Sequence, residues 1–182
     1  MQVFNTNLPD VKLLKPKKFG DERGFFLESY NKKVFDDLIG MNVDFVQDNH
    51  SRSSKGVLRG LHYQIIQPQG KLVRVTAGKV YDVAVDMRRD STTFGQWAGT
   101  ILTAEGQEQF WVPEGFAHGF LVLSDTADFL YKTTNYYAPE HDRSVLWNDK
   151  TIGIEWPISD SLQPTLSDKD RNAVEFNQAD YF

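Results

Sequence analysis

The stretch "GVLRGLHYQ", residues 56–64, places an arginine and a histidine three apart inside an apolar run. Val57, Leu58 and Leu61 read as a buried strand. Arg59 and His62 fit such a strand only with partners or water, because burying an unpaired charge is expensive. An imidazole has an unperturbed pKa of about 6.5, so it can take or give a proton near neutrality. A guanidinium stays charged, and its fork matches phosphate oxygens. Strand side chains alternate, so residues 59 and 62 should point to opposite faces. Gly60 lies between them, and a glycine in a strand often marks a bulge. A bulge or twist near Gly60 is therefore expected, turning both side chains into one cavity. Taken alone, a strand histidine is more often a hydrogen-bonded core residue.

A second stretch, "VPEGFAHGF" (112–120), has Pro113 and Gly115 in a turn and His118 three residues later. Lys71 in "QGKLVRV", Asp82 in "VYDVAVD", Tyr131 in "FLYKTTN" and the acids of "LSDKD", Asp168 and Asp170, complete the candidates. Each also has a plain structural reading. Lys71 could be a solvated strand end, Tyr131 a core aromatic with its hydroxyl bonded, and Asp168 a first-turn helix carboxylate.

The elements that must position these residues are strands. After a short helix at 31–40, capped by Asn31, striped by Val34, Phe35, Leu38 and Ile39 and ended by Gly40, the pattern becomes "NVDFVQDNHS", "GVLRGLHYQ", "KLVRVTAG", "KVYDVAVDMR", "QWAGTILT", "EQFWVPEG", "GFLVLSDTADFLYKTTNYY" and "SVLW". Turn residues separate them at Gly56, Pro68-Gln69-Gly70, Gly78, Asp90-Ser91, Glu105-Gly106 and Pro113-Glu114-Gly115. Many short strands at this spacing predict an all-β sandwich or barrel. The first 30 residues show short apolar segments broken by Pro16 and Gly20. The tail from about 150 has a helix candidate near Ser167 and is expected to wrap the barrel, leaving one domain over 1–182.

Composition narrows the chemistry. The 182 residues are 40% hydrophobic, with 13 Phe, 7 Tyr and 4 Trp, enough for a sizeable core. The formal net charge of −5 argues against a general nucleic-acid binder, which carries a basic face. With no cysteine, disulfides, thiolate catalysis and cysteine zinc sites are excluded. The N-terminus lacks the basic-then-apolar order of a secretory signal. No apolar run approaches the roughly 20 residues of a membrane span. A soluble, cytoplasmic protein is expected.

The turn at 113–118, P-x-G-x-x-H, resembles the second signature of the cupin jelly-roll family. In metal-binding cupins the first signature supplies H-x-H, but "HYQ" puts Gln64 at the second position. A facial metal site needs about three ligands with open positions; only His50, His62, His118 and His141 exist in the chain. "FGDERGFFLESYN", "FVQDNHSRSSKGVLRGLHYQ", "QGKLVRVTAGKVYDVAVDMR", "FGQW", "WVPEGFAHGF", "FLYKTTNYY" and "GIEWP" run in order through nearly the whole chain. Together they resemble the dTDP-4-dehydrorhamnose 3,5-epimerase family. That resemblance implies a cupin-type jelly roll with a few short peripheral helices, no metal, no redox cofactor, and a homodimer whose N-terminal strands cross between subunits. It implies inversion at C3 and C5 of dTDP-4-dehydro-6-deoxy-D-glucose. The chain offers no G-x-G-x-x-G loop and no Tyr-x-x-x-Lys, which counts against the NAD-dependent sugar-nucleotide epimerases.

The resemblance also implies roles. His62 becomes the base, Asp170 its carboxylate partner, Tyr131 the acid on the opposite face and Lys71 the cation on the enolate oxygen. Asp82 pairs with the lysine, and His118 lines the sugar site. Arg59 and Arg23 bind the diphosphate, Gln47 and Asn49 add nucleotide contacts, and Glu28 accepts from thymine N3–H. Phe19 and Tyr137 stack on the base. For Arg23 and Glu28 the plain alternative is surface ion pairing, and for the two aromatics it is packing. His141 and Asp142 fall at an expected pocket rim without a role. Other readings are a C3-only or C5-only epimerase, a metal-dependent cupin, and a non-catalytic sugar-nucleotide-binding module on the same barrel.

Overall fold

The computed structural model describes residues 1–159 and 163–182. The strands are β1 (Gln2–Asn5), β2 (Lys12–Lys15), β3 (Lys18–Asp21), β4 (Gly24–Leu27), β5 (Gln47–Ser54), β6 (Leu58–Gln64), β7 (Lys71–Ala77), β8 (Lys79–Asp86), β9 (Trp97–Thr103), β10 (Gln109–Val112), β11 (Phe116–Val122), β12 (Thr126–Thr133) and β13 (Asp142–Ser144). The helices are α1 (Lys32–Ile39) and α2 (Asp168–Arg171), with single turns of 3₁₀ helix at Pro139–His141 and Phe176–Gln178.

Two antiparallel sheets face each other as a jelly roll. One has the order β1-β2-β10-β7-β12-β5, the other β13-β6-β11-β8-β9. Alternation fills the space between them. Val73 and Val75 of β7, Phe110 and Val112 of β10 and Phe129 of β12 meet Val80 and Ala84 of β8, Ala98 and Leu102 of β9, and Phe120 and Val122 of β11. The opposite face of β6, β8 and β11 (Leu61, Tyr63, Val83, Val85, Ala117) is covered by Val145, Ile152, Phe176 and Ala179 of the tail. The tail thus wraps the sandwich and brings α2 against β6.

Helix α1 starts and stops where its caps dictate. The Asn31 side chain accepts from the Val34 N–H, and Gly40, in the left-handed region at φ 77°, donates to Asp36 O. Its buried Phe35 packs edge-on against Trp111. The segment 43–46 stays outside β5, which begins only at Gln47. Strands β1 to β4 lie in the N-terminal stretch whose interrupted apolar segments gave no strand pattern. β3 and β4 pair only with each other. This hairpin leaves Phe19, Phe25 and Phe26 exposed at 54%, 60% and 71%.

Candidate active site

The inward faces of the two sheets meet at one end of the sandwich in a cavity of about 210 Å³. Arg59, His62 and His118 line it from β6 and β11; Lys71, Tyr131 and Ser51 line it from β7, β12 and β5. Phe120 and Phe129, stacked with centroids 4.1 Å apart, also line it.

The expected irregularity at Gly60 is present. Along the β6–β11 pairing His118 faces His62 but Phe120 faces Arg59, so β6 carries one more residue than β11 in that interval. That shift puts Arg59 and His62 on the same cavity. Gly60 has φ +130°, and a Cβ built there would lie 2.5 Å from Gly119 Cα and 2.9 Å from His118 O. Only glycine satisfies both the conformation and the close approach.

His62 is held from behind. Its Nε2 lies 2.5 Å from Asp170 Oδ1. Asp170 also accepts from the Gly60 N–H (3.2 Å) and from the Ser167 hydroxyl (2.6 Å). Asp170 is 2% exposed. Burial would raise its pKa, but the bonds from His62, Ser167 and Gly60 hold it down to about 2. A carboxylate at Nε2 favours the tautomer with the proton there, leaving Nδ1 as the acceptor. Burial depresses the His62 pKa below 6.5, opposed by Asp170. The choice between Asp168 and Asp170 is thus made by geometry: Ser167 caps α2 by accepting from the Asp170 N–H, and that turn buries Asp170 against β6.

Lys71 is buried, and its Nζ donates to His62 O at 3.3 Å. Burial pulls its pKa down to about 8, opposed by Asp142 and Asp82. Asp82, expected to pair with Lys71, is instead hydrogen-bonded to His118, Oδ1 2.8 Å from Nε2, and acts on Lys71 only through its charge. Burial raises the Asp82 carboxyl, and its Oδ2 has no hydrogen-bond partner among the described residues. Burial likewise raises the Tyr131 phenol. Arg59 Nε donates to Ser53 Oγ at 3.1 Å.

Of the expected nucleotide contacts, Tyr137 lines the cavity. Gln47 and Asn49 lie on the same face of β5 as Ser51, and Gln47 Nε2 donates to Asn49 Oδ1 at 3.0 Å, but neither is in the cavity lining. Phe19, Arg23 and Glu28 do not reach it. Arg23 is paired with Asp21 on the exposed hairpin, and Glu28 accepts from Asn31. Sequence reasoning missed Ser51 and Gln69 and read Gln64 only as an absent metal ligand, yet all three line the cavity; Asp142, expected at the rim without a role, lines it and pairs with Lys169. Ser51 was within reach of the alternation Gln47, Asn49, Ser51. His141 sits beside Glu140 at 3.8 Å and is not part of the lining.

Among the described residues no group of three or more His, Cys, Asp or Glu is placed to hold a metal ion. No helix among them is long and apolar enough to cross a membrane.

The family model described as dTDP-4-dehydrorhamnose 3,5-epimerase matches residues 5–178. An enzyme of that name from Shigella flexneri is 59% identical over 184 residues, covering 100% of this chain and 99% of its own. One from Pseudomonas aeruginosa is 59% identical over 182 residues, with coverage of 100% and 99%. Among solved structures, a dTDP-6-deoxy-D-glucose-3,5-epimerase from Legionella pneumophila, in complex with dTDP-4-keto-L-rhamnose, superimposes with a TM-score of 0.95 at 54% identity, over 98% of this chain and 94% of that one. By the whole-length match and the jelly roll that carries it, this chain belongs to the dTDP-4-dehydrorhamnose 3,5-epimerase family.

Proposed function

We propose that this chain inverts C3 and C5 of dTDP-4-dehydro-6-deoxy-D-glucose, giving dTDP-4-dehydro-L-rhamnose, through an enolate at the C4 oxygen. Both carbons adjoin the C4 ketone. Their protons are acidic because the resulting anion spreads onto that oxygen. His62 takes the proton from carbon at Nδ1, and the C–H electron pair becomes the enolate. Asp170 stabilises the imidazolium and fixes its orientation. The Lys71 ammonium sits against the developing O4 charge, where a fixed charge in a water-poor site is most effective. Tyr131 returns a proton to the opposite face of the carbon, and the two side chains reset through water.

The observation that carries this reading is that His62 and Tyr131 project from opposite sheets into one cavity, with Lys71 in the same wall as Tyr131. A base and an acid on opposite walls are what inversion at a planar carbon requires. A metal-dependent cupin is disfavoured by Gln64, whose side chain bonds backbone at Gln67, Tyr136 and Ala138.

The nucleotide is bound by Arg59, Gln47, Asn49 and Tyr137 of one subunit. Phe19 and Arg23, on the hairpin β3–β4, and Glu28, directly after it, act in the site of a second copy, the hairpin crossing over in a homodimer. Three exposed phenylalanines on a two-stranded hairpin support that reading, because an isolated hairpin is marginal without a surface to pack on. Incubation with the substrate in D₂O tests the activity. Deuterium at both C3 and C5 is expected; deuterium at one carbon makes the chain a mono-epimerase, and none at either overturns the reading.

A further inference from the structure

Residues 134–138, "TNYYA", link β12 to the 3₁₀ turn before β13 without regular structure of their own. Buried or half-buried peptide groups need partners. Here glutamine side chains supply several of them, beside Gly70 O, the Thr133 hydroxyl and the Asn135 side chain. Gln69 Nε2 donates to Asn135 O (2.8 Å). Gln64 Nε2 donates to Tyr136 O (3.2 Å) and Gln67 O (2.7 Å), and Gln64 Oε1 accepts from the Ala138 N–H (2.9 Å). Gln47 Oε1 accepts from the Tyr137 N–H (3.2 Å).

Gln64 is the buried member, 4% exposed, and uses both ends of its amide. It stands two residues after His62 on β6, so the two share a face of the strand. A buried amide that grips the chain on either side of Tyr137 from a rigid strand fixes that ring relative to the base.

We infer that Gln64 is a positioning residue for nucleotide binding: it clamps the Tyr136–Ala138 backbone so that the Tyr137 ring is held at a set place relative to His62. This rests on Tyr137 as the residue that stacks on the nucleobase. The position that would carry a metal ligand in a metal cupin here holds the loop that grips the nucleotide. Gln64 acts through Tyr137 and does not touch the reacting carbons.

The experiment measures dTDP affinity by calorimetry, and kcat and KM with the sugar nucleotide, in Gln64→Met, Tyr137→Ala and the double variant. Methionine keeps the length and loses all three hydrogen bonds. Gln64→Met is expected to weaken dTDP binding and raise KM about tenfold, the scale of one aromatic–base stack, with kcat at saturation within about twofold of the parent. In the double variant Gln64→Met should add little to the effect of Tyr137→Ala. Unchanged dTDP affinity in Gln64→Met, while Tyr137→Ala weakens it, overturns this inference alone. Full additivity in the double variant, or a fall in kcat with dTDP affinity unchanged, does the same. Tyr137→Ala without effect on dTDP removes the stacking reading and this inference with it. If Gln64→Met does not fold, Gln64→Glu, which keeps the acceptor for the Ala138 N–H and loses both donated bonds, takes its place with the same readouts.

Discussion

His62 Nε2 and Asp170 Oδ1 lie 2.5 Å apart across 108 residues of chain, joined because the turn capped by Ser167 packs against β6. The carboxylate both orients the imidazole and raises its pKa against the lowering effect of burial. Asp170→Asn keeps an acceptor but removes the charge. The expected result is a kcat lower by about 10²-fold, the low end for a positioned base. The acid limb of the kcat/KM profile should also move to lower pH, because the imidazolium loses its anion. A pH–rate series on the variant checks both.

Lys71 is expected to set the alkaline limb. Its pKa of about 8 is low because it is buried. The ammonium is fully present below that pH and lost above it. Activity that needs the cation on O4 should therefore fall as pH rises through about 8 in kcat/KM, which reports the free enzyme. Tyr131 cannot cause this limb, since burial pushes its phenol above its usual range. Lys71→Met should cost about 10²–10³-fold in kcat. Lys71→Arg should keep some activity and lose the limb, since arginine stays charged.

Gly60 permits the bulge that turns Arg59 and His62 into one cavity. A Cβ there meets the Gly119 and His118 backbone at 2.5 and 2.9 Å, and the φ of +130° is one L-residues rarely adopt. Gly60→Ala is expected to destabilise the fold by about 2–4 kcal/mol, read from urea unfolding. Its remaining folded fraction should have lost most activity through displacement of His62.

Arg23 sits on the hairpin, away from the cavity of its own subunit. If it completes the site of the second copy, Arg23→Ala and His62→Ala should complement. Each is expected to be weak alone. Unfolded together and refolded, they should form mixed dimers with one site intact, restoring about one quarter of parental sites for random pairing in a two-fold dimer. No gain over the separate variants would place Arg23 in its own subunit's site or in none.

The all-β jelly roll was legible from the run of short strands, and several residues that share the cavity stood out by type. Arg59 and His62 stand out because charge in an apolar run demands a reason, and Gly60 signals the kink that reconciles them. Helix α1 was readable from Asn31 and Gly40, because caps act locally. Asp170 was not separable from Asp168 by spacing, since its partner lies on a strand far away in sequence. Strands β1–β4 gave no pattern because each is only four residues long and most of their side chains are exposed. Gln64 read only as a missing metal ligand. Its use depends on where residues 134–138 return to the barrel, which the pairing of β12 with β7 and of β13 with β6 decides.

The central claim is that His62 and Tyr131 act from opposite faces of the same carbon. Tyr131→Phe tests it most directly, followed by NMR of the substrate in D₂O. With the base intact and the opposing acid gone, deuterium should enter with retention of configuration, delivered back by His62, while the L-sugar fails to accumulate. Epimerisation at the parental rate in Tyr131→Phe would contradict the account.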